Sequence, residues 1–561
     1  MRRCILVSLF ALLLLAGCHR DSSTGTVSAS LIFLGGRILT LTDRDAQTPA
    51  TAVAARDGRI VFVGDDTGAR ALAGTDTRII DLQGATLLPG FIDSHCHLYG
   101  LGTALVQIDC VGTPSAEAVA ALVDSAAQAA PPGAWLQGRG WDQNDWTSQQ
   151  YPDRTLLDRV SDDHPVLLRR IDGHAAWANS KALAAAGITA ATVDPAGGSI
   201  VRDDRGEPTG ILIDNAVDLV MDIIPEPDRT EKTRRIDLAL AHCVRRGLTG
   251  VHEAGLDWER LDIYRELDAA GKLPLRIYGM FDDKPEVLAR ARTEGPFHAQ
   301  DGMITVRAVK LYADGALGSR GALLLADYSD QPGNRGWPVT PREHLLEVAR
   351  NLGAAGFQIC THAIGDGANR MMLDIYEEAL AEIGPKDRRW RIEHAQILDP
   401  ADIPRFAELG VIAAMQPTHC TSDMDWAPAR LGPRRLSGAY AWKSLLDSGA
   451  HLCFGTDFPI ERVDPLLGLY AARTRMHPDG TPPGGWLPQQ RLDARTAVEL
   501  YTAGSAYAAF QENELGRIQP GFRADFTILD DDPSTCADRE LLDLKVLYTV
   551  VDGRVVFDGR N

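Results

Sequence analysis

The sequence predicts an α/β protein: a (β/α)8 barrel, a small β-sandwich domain formed from both termini, and an insertion after the first barrel strand. Three observations lead to this prediction. Strand-like apolar runs alternate with helical stretches through the middle of the chain. Both ends carry short hairpin-like strands. The first two barrel strands are about 150 residues apart, far more than one helical crossover requires.

Residues 1–17 are predicted to be a lipoprotein signal peptide. Arg2 and Arg3 precede an apolar stretch that is too short to span a bilayer comfortably. The stretch ends in Leu15-Ala-Gly-Cys18, which resembles the lipobox of bacterial lipoproteins, so Cys18 would carry the lipid. The alternatives are an ordinary cleaved signal and a short anchor. We expect an exported lipoprotein, periplasmic or anchored to the outer membrane, with residues 18–30 as a flexible tether.

Residues 31–89 and 513–561 share a pattern of short strands separated by turn residues. Asp57-Gly58 and Asp552-Gly553 are strong hairpin turn signals, one in each segment. Because the two segments enclose a long middle region, we expect them to pair into one β-sandwich domain.

Residues 90–512 are predicted to form the barrel, with the insertion at about residues 100–235. The insertion has its own strand-like run at Pro165–Ile171 and a tryptophan-rich stretch at Gly138–Trp146. The eight candidate barrel strands are Gly90–His95, Thr249–Glu253, Leu275–Met280, Val306–Leu311, Phe357–His362, Trp390–His394, Val411–Gln416 and Leu452–Asp457.

Composition excludes several classes of partner. The net charge of −19 argues against nucleic acid, and no phosphate-binding glycine loop is evident. The scattered cysteines form neither a disulfide framework nor a Cys-type zinc site. We therefore expect a small-molecule substrate and membrane contact through the lipid anchor only. A homo-oligomer is compatible with the sequence, which carries no signal for the oligomeric state.

His95 and His97 begin the argument for a metal site. They follow an apolar run that is typical of a buried strand, and alternation places both imidazoles on one face. Two adjacent imidazoles at a strand end form half of a metal site. Alternation directs Cys96, between them, to the opposite face.

Later strands end, or nearly end, in further potential ligands: Lys310, His362, His394 and Asp457. Each has a simpler interpretation when taken alone, as a core histidine, a lysine that reaches solvent or a turn-capping aspartate. Active groups of a barrel gather at the C-terminal ends of its strands, so their recurrence there predicts one shared metal centre.

These residues lie in motifs that resemble the amidohydrolase superfamily, more closely the large amidohydrolases that include the N-substituted formamide deformylases. The resemblance covers about residues 31–560. It implies a metal-bearing (β/α)8 barrel with a β-sandwich made from both ends. The motifs are Leu88–His97, Val309–Arg320, Thr361–Asp366, Arg391–Ala395, Phe454–Pro459 and Gly521–Phe526.

The resemblance implies two metal positions. His95 and His97 would hold the first metal together with Asp457, and His362 and His394 would hold the second. Imidazole and carboxylate ligands suit Zn2+, and other divalent transition metals fit the same set.

The resemblance also implies that Lys310 is carboxylated by CO2 and that its carbamate bridges the two ions. An ammonium group cannot bind a cation, whereas a carbamate is an anionic oxygen ligand. Desolvation lowers the pKa of a lysine and frees its amine to react. With an unmodified Lys310 the site would hold one metal.

The implied activity is that of a metal-dependent hydrolase acting on a non-peptide C–N bond, in an amide, N-formyl or cyclic amide compound. A metal-bound hydroxide would attack the carbonyl-type carbon, and Asp457 would pass the proton to the leaving nitrogen. One alternative is the same site hydrolysing an ester, lactone or phosphoester. The other is a non-catalytic surface binding protein, which would be expected to have lost a ligand position.

Four residues are predicted to contact the substrate, by position or by family likeness: His174, Trp141, His252 and Arg320. The alternative for His174 is a loop or packing residue, and the alternative for Trp141 is packing. No role is predicted for His419, His451 or His477.

Overall fold

The computed structural model describes residues 28–46, 49–161, 163–170, 175–195, 198–384 and 386–560. The predicted signal peptide, Cys18 and His174 lie outside these residues. Within them, the first strand begins at Ala29, at the end of the predicted tether. No helix in the described part of the chain is long and apolar enough to cross a membrane.

Eight parallel strands form the predicted barrel, and each is hydrogen-bonded to the next in chain order. A short strand, Phe297–His298, pairs antiparallel with the fourth. The barrel strands are β1 (Phe91–Cys96), β2 (Leu248–Leu256), β3 (Arg276–Asp282), β4 (Ile304–Tyr312), β5 (Gln358–Ala363), β6 (Arg391–His394), β7 (Ile412–Met415) and β8 (Leu452–Phe454).

The barrel nearly closes where β8 approaches β1. The backbone N–H of Asp457 donates to the carbonyl of His95 over 2.8 Å, and that of His97 donates to the carbonyl of Phe458, also over 2.8 Å. These bonds lie just beyond the strand ends. They therefore place the candidate ligands of β1 beside Asp457.

Helices cover the outside of the barrel, as alternating βα units require. Aspartates begin several of them: the Asp228 and Asp257 side chains each accept an N-cap hydrogen bond from a first-turn backbone N–H. The helices of this region are Leu98–Val106, Arg229–Arg245, Trp258–Ala269, Pro285–Glu294, Arg342–Ala354, Asp366–Ile383, Ile403–Leu409, Pro417–Asp423, Ala427–Leu431, Trp442–Asp447, Pro465–Thr474, Ala494–Leu500 and Ala503–Ala508.

The insertion after β1 is a six-stranded mixed sheet with short helices. Its core is rich in tryptophan, because Trp141, Trp146 and Trp177 are all buried in one cluster. In spatial order its strands are Gly198–Arg202, Pro208–Asp214, Ala175–Ala178, Val166–Arg170, Leu136–Trp141 and Ile108–Asp109. Its helices are Ala116–Ala129, Arg154–Asp158, Ser180–Ala185 and Asn215–Met221.

Two further sheets pack together, one from the N-terminal segment alone and one that combines strands from both ends of the described chain. One core cluster joins them, in which the rings of Phe33 and Phe526 meet edge to face at 6.0 Å. The four-stranded sheet holds Arg59–Gly64, Ala52–Arg56, Ala29–Leu34 and Ala73–Asp81, and helix Asp66–Arg70 follows its second hairpin strand. The five-stranded sheet holds Arg37–Ile38, Thr86–Pro89, Phe526–Leu529, Val546–Val551 and Arg554–Asp558.

Candidate metal centre

Four histidine rings form a continuous cluster at the C-terminal ends of the barrel strands. His95 and His97 lie at the end of β1, His362 on β5 and His394 on β6. Ring centroids are 5.6 Å apart for His95 and His97, 4.8 Å for His95 and His394, and 4.5 Å for His362 and His394.

Protein groups hold Nδ1 of both His95 and His97, and Nε2 of each ring faces Asp457. His95 donates from Nδ1 to the carboxylate of Glu393. His97 donates from Nδ1 to the backbone carbonyl of Ala254 over 2.9 Å. These partners assign a proton to each Nδ1, so Nε2 carries a lone pair whenever the ring is neutral.

The same arrangement recurs on β5 and β6. His394 donates from Nδ1 to Gln416 Oε1 over 2.8 Å. His362 interacts with the backbone of Gly315, and its Nε2 is buried without a hydrogen-bond partner. A buried imidazole nitrogen without a partner is costly unless a ligand satisfies it.

Asp457 completes the cluster from the segment after β8. Its Oδ1 lies 3.3 Å from His97 Nε2 and 3.6 Å from His95 Nε2, and is buried without a hydrogen-bond partner. Burial acts to raise the pKa of this carboxyl, but His97 and His95 lower it below the usual range. The carboxylate is therefore an anionic ligand that lies beside the imidazoles of His95 and His97.

The donor set fits a divalent transition metal. One ligand atom from each of His95, His394 and Asp457 can be chosen so that all three lie within 4.8 Å of one another. Imidazole nitrogen with carboxylate oxygen is a set that zinc and its neighbours in the periodic table bind. The atoms without partners, His362 Nε2 and Asp457 Oδ1, border the same space.

Electrostatics keep most of these rings neutral. Burial, followed by the nearby Lys310, lowers the pKa of His95 to about 4 and that of His362 to about 3. Burial and the neighbouring His362 place the pKa of His394 well below its ordinary value. Neutral imidazole is the form that binds metals.

Lys310 lies at the centre of the cluster, on β4. Its Nζ is 3.2 Å from His95 Nε2, and the side chain is buried. Burial lowers the pKa of this amine. A protonated ammonium group at this place would repel a metal cation, whereas a neutral amine would not.

Backbone strain marks two of the candidate ligands. His394 has a φ of 76° and Asp457 a φ of 61°, both in the left-handed region that non-glycine residues rarely adopt. Such conformations cost about 1–3 kcal/mol each and cluster at functional sites.

A second polar layer lies beneath the first. Glu393 accepts from Arg391 Nε over 2.7 Å and from Nη2 over 2.8 Å, and Arg391 Nη1 donates to His252 Nδ1 over 2.9 Å. Burial acts to raise the pKa of Glu393, but Arg391 and His95 together lower it to about 2. The layer therefore presents a fixed carboxylate to His95.

His252 is not placed where a substrate contact was predicted. Its ring is buried, packs against Tyr278 with centroids 4.9 Å apart, and borders a small cavity at the opposite end of the barrel from the histidine cluster. The reason lies in strand length: β2 runs on to Leu256, so His252 is below the strand end. Its contact is with Arg391.

Trp141 packs inside the insertion rather than lining a pocket. The side chain is fully buried, Nε1 donates to the Leu168 carbonyl over 2.7 Å, and the ring meets Trp146 and Trp177. The ring therefore has the packing role that was the alternative for Trp141 in the sequence.

Arg320 lies on the loop after β4, at the barrel face that carries the histidines. It donates to the carboxylate of Asp330 from Nε over 3.1 Å and from Nη2 over 2.9 Å. Asp330 also pairs with Arg430, so the three side chains form a bridge at the loop surface. The structure does not bring Arg320 together with the metal-ligand candidates.

Two residues near the cluster carry no prediction from the sequence. Asp314 Oδ1 lies 3.7 Å from His362 Nε2, and its carboxyl group accepts backbone hydrogen bonds that tie the loops after β4 and β5. His419 Nε2 lies 3.5 Å from Asp457 Oδ2. His419 follows the end of β7 by four residues, so the strand-end rule could have found it.

The chain matches known proteins along most of its length. A family profile described as "Amidohydrolase family" matches residues 78–557. A Bacillus subtilis protein named "Putative amidohydrolase YtcJ" is 36% identical, over 94% of this chain and 99% of the relative. An Arthrobacter pascens "N-substituted formamide deformylase" is 29% identical, over 94% of this chain and 98% of that enzyme.

The solved structures agree with the barrel assignment. A crystal structure titled as an uncharacterized metal-dependent hydrolase from Pyrococcus furiosus superposes with a TM-score of 0.75 at 30% identity. It covers 90% of this chain and all of that chain. The predicted fold class is therefore confirmed, and the neighbours support metal-dependent hydrolysis.

Proposed function

Because this chain belongs to the amidohydrolase family, we propose that it hydrolyses a non-peptide C–N bond of a small molecule. The candidate substrates are amides and N-formyl compounds. The observation that carries the proposal is the convergence of His95, His394 and Asp457 on one space at the barrel's C-terminal face, where His362 Nε2 and Asp457 Oδ1 are buried without hydrogen-bond partners. The similarity to a formamide deformylase over nearly the whole chain favours this bond.

Residues His95, His97, His394, His362 and Asp457 would hold the metal, Zn2+ or another divalent transition ion. A metal bound there lowers the pKa of water and so supplies a nucleophile at neutral pH. The protein contributes the neutral rings and the anionic carboxylate. The Glu393 carboxylate beneath His95 fixes the direction of that ring.

Asp457 has the second role in the proposed reaction. One oxygen, Oδ1, faces the imidazoles of β1, while Oδ2 faces His419. We place Asp457 as the group that accepts the proton of the attacking water and delivers it to the leaving nitrogen. An amine leaves poorly as an anion, so this proton is needed.

Lys310 is proposed to carry a carbamate. Its buried amine lies 3.2 Å from His95 Nε2, and burial favours the neutral amine that reacts with CO2. The nitrogen lone pair adds to the CO2 carbon, and the amine proton is released to solvent. The product is an anionic oxygen ligand for two metal ions.

Metal analysis joined to a substrate screen tests the proposal. We expect purified protein to contain one or two equivalents of a divalent transition metal, and a chelator to abolish turnover that the metal restores. Formanilide and phenyl formate form a matched pair, since only the leaving atom differs. Because the ester is intrinsically more reactive, each rate is divided by that of spontaneous hydrolysis. A larger enhancement for the ester would overturn the C–N assignment, and the absence of any metal-restored turnover would overturn hydrolysis.

Lipidation at Cys18 remains our proposal for the N-terminus. We expect whole-cell expression to give a membrane-bound protein that incorporates labelled palmitate. The Cys18→Ala variant should lose the label and leave the membrane fraction, and an unlabelled wild-type protein would contradict the proposal.

A further inference from the structure

His419 is a fifth histidine at the metal centre, and the ligand set described above does not use it. It belongs to helix Pro417–Asp423, directly after β7, and its ring stacks on that of His394 with centroids 5.8 Å apart and planes at 19°. Its Nε2 is buried and has no hydrogen-bond partner. The nearest acidic oxygen, Asp457 Oδ2, is 3.5 Å away, longer than a normal hydrogen bond.

The partner of Nδ1 distinguishes His419 from His394. Gln416 presents its oxygen to His394, because the Gln416 amide nitrogen donates to the Ala414 carbonyl over 3.3 Å. His394 therefore holds its proton on Nδ1 and has a lone pair on Nε2. The nitrogen of Gln396, by contrast, faces Nδ1 of His419 at 3.1 Å.

This contact reverses the proton assignment for His419. An amide NH2 group only donates, so Nδ1 of His419 accepts and Nε2 carries the N–H in the neutral ring. An N–H group cannot bind a cation. The two stacked histidines therefore differ: His394 offers a lone pair to a metal, and His419 offers a hydrogen-bond donor to an oxygen.

We propose that His419 Nε2–H is a catalytic hydrogen-bond donor to the carbonyl oxygen of the substrate. The inference rests on the proposed function. Water oxygen adds to the carbonyl carbon, the C=O π pair moves onto the oxygen, and His419 hydrogen-bonds that oxyanion without giving up its proton. Collapse of the adduct breaks the C–N bond, and the nitrogen leaves with the proton held by Asp457.

The place of the donor agrees with this role. His419 lies on the Oδ2 side of Asp457, away from His97 and His95 on the Oδ1 side. A substrate carbonyl at this end of the cluster would have the proton-transferring carboxylate and the N–H donor side by side. Donors that are oriented before the reaction stabilise developing charge most effectively.

The key variants are His419→Phe, which keeps an aromatic ring on His394 but has no donor, and His419→Gln, whose amide nitrogen can replace Nε2–H. His451→Phe is the matched control, because His451 also stacks on an aromatic ring, that of Tyr507, at 4.1 Å. It borders a different cavity from the one beside His252, together with Trp390 and Tyr507.

Metal content is the first measurement. We expect His419→Phe to keep the wild-type metal content, whereas loss of metal from this variant but not from His451→Phe would show that His419 is a ligand and would overturn the proposal. The second measurement is calorimetric binding of methylphosphonate, a tetrahedral oxyanion, to the metal-loaded proteins. We expect His419→Phe to bind it at least 10-fold more weakly and His419→Gln to recover part of the loss. Equal affinity in wild type and His419→Phe would overturn the donor role, even if no formamide is hydrolysed.

Turnover of formanilides with ring substituents gives the third measurement. We expect His419→Phe to lower kcat by about 10²–10³-fold with little change in KM, as loss of one oxyanion donor does. The factor should be the same for good and poor leaving groups, because His419 acts on the oxygen and not on the nitrogen. A loss that grows with the basicity of the leaving amine would show that His419 instead assists Asp457 in protonating the leaving nitrogen. That result would overturn the proposal.

Discussion

The two polar layers inside the barrel differ in how completely their atoms are paired. In the lower layer, Arg391 donates to Glu393, to His252 and to the Ser94 carbonyl, and Glu393 also accepts from His95. In the upper layer, His362 Nε2 and Asp457 Oδ1 are buried without partners. A buried group without a partner is destabilising, so the upper layer is built for a ligand and the lower layer for its support.

The difference in pairing also predicts what a substitution in each layer would change. Upper-layer residues are expected to control chemistry and metal binding, while lower-layer residues control stability and the direction of His95. The following predictions separate these two effects, beginning with the largest.

Asp457→Asn should remove activity and leave the fold intact. The variant loses a proton acceptor and an anionic ligand, and general acid–base groups contribute about 10²–10⁴-fold to rate. We expect kcat for the best substrate of the screen to fall by about 10³-fold or more, measured beside metal content. The control is Asp76→Asn, at an exposed position of the N-terminal sheet. Full activity in Asp457→Asn would contradict the assigned role.

Glu393→Gln should destabilise the whole barrel. It leaves the Arg391 guanidinium buried without its carboxylate, and breaking a buried pair costs about 3–5 kcal/mol. It also removes the charged acceptor of His95, so metal affinity should fall about 10–100-fold. Urea unfolding and competitive chelation measure the two effects.

The double variant Arg391→Met/Glu393→Gln sharpens this test. It removes the unpaired charge, so stability should partly return while metal affinity stays low. Glu347→Gln, on an exposed face of helix Arg342–Ala354, is the matched control. A double variant that is less stable than the single one would argue against the buried-charge explanation.

Acid should lower the free energy of unfolding of the metal-free protein, because histidines of the upper layer are buried in their neutral form. The folded-state pKa of His362 is about 3, below its ordinary 6.5. The unfolded chain therefore takes up the proton first as the pH falls, and the stability that neutral His362 contributes is lost progressively from pH 6.5 down to about 3. Between pH 7 and 5 this one residue accounts for about 2 kcal/mol.

Urea midpoints of chelated wild type and His362→Gln at the two pH values measure this effect. The variant should lose less stability on acidification, and His344→Gln, at a half-exposed position, should behave as wild type. An identical pH dependence in wild type and His362→Gln would exclude His362 as the source.

Trp141→Phe should have the smallest effect and none on chemistry. It removes the side-chain hydrogen bond to the Leu168 carbonyl, at a cost of about 1 kcal/mol. We expect a lower thermal midpoint with kcat/KM within twofold of wild type. Trp337→Phe, at an exposed position, should change neither value. A large loss of activity in Trp141→Phe would instead support the predicted contact between Trp141 and the substrate.

Much of the fold could be predicted because its signals are local. The strand-like runs of the middle region fall on the eight barrel strands, and hairpin turns such as Asp57-Gly58 join strands of the terminal sheets. The positions at which strands end were harder to predict from the sequence. β2 continues to Leu256, which puts His252 inside the barrel instead of at its open end.

The candidate site also contains residues that the sequence could predict and features that it could not. Strand alternation and the strand-end rule selected His95, His97, Lys310, His362, His394 and Asp457, and the structure brings all of them into one cluster. The structure buries Trp141 and His252, and the sequence could not indicate this because burial depends on what packs around a side chain. The sequence around either residue does not indicate how deeply its side chain is buried.

The residue types near the ends of the strands could be recognised in the chain, because alternation is a property of neighbouring residues. The pairing of those side chains became visible only in the folded barrel. Glu393 meets His95 across 298 residues of sequence, and the amide nitrogen of Gln396 faces Nδ1 of His419. The curvature of the barrel brings these groups together. The partner of each Nδ1 then decides whether Nε2 has a lone pair for a metal or an N–H for a hydrogen bond.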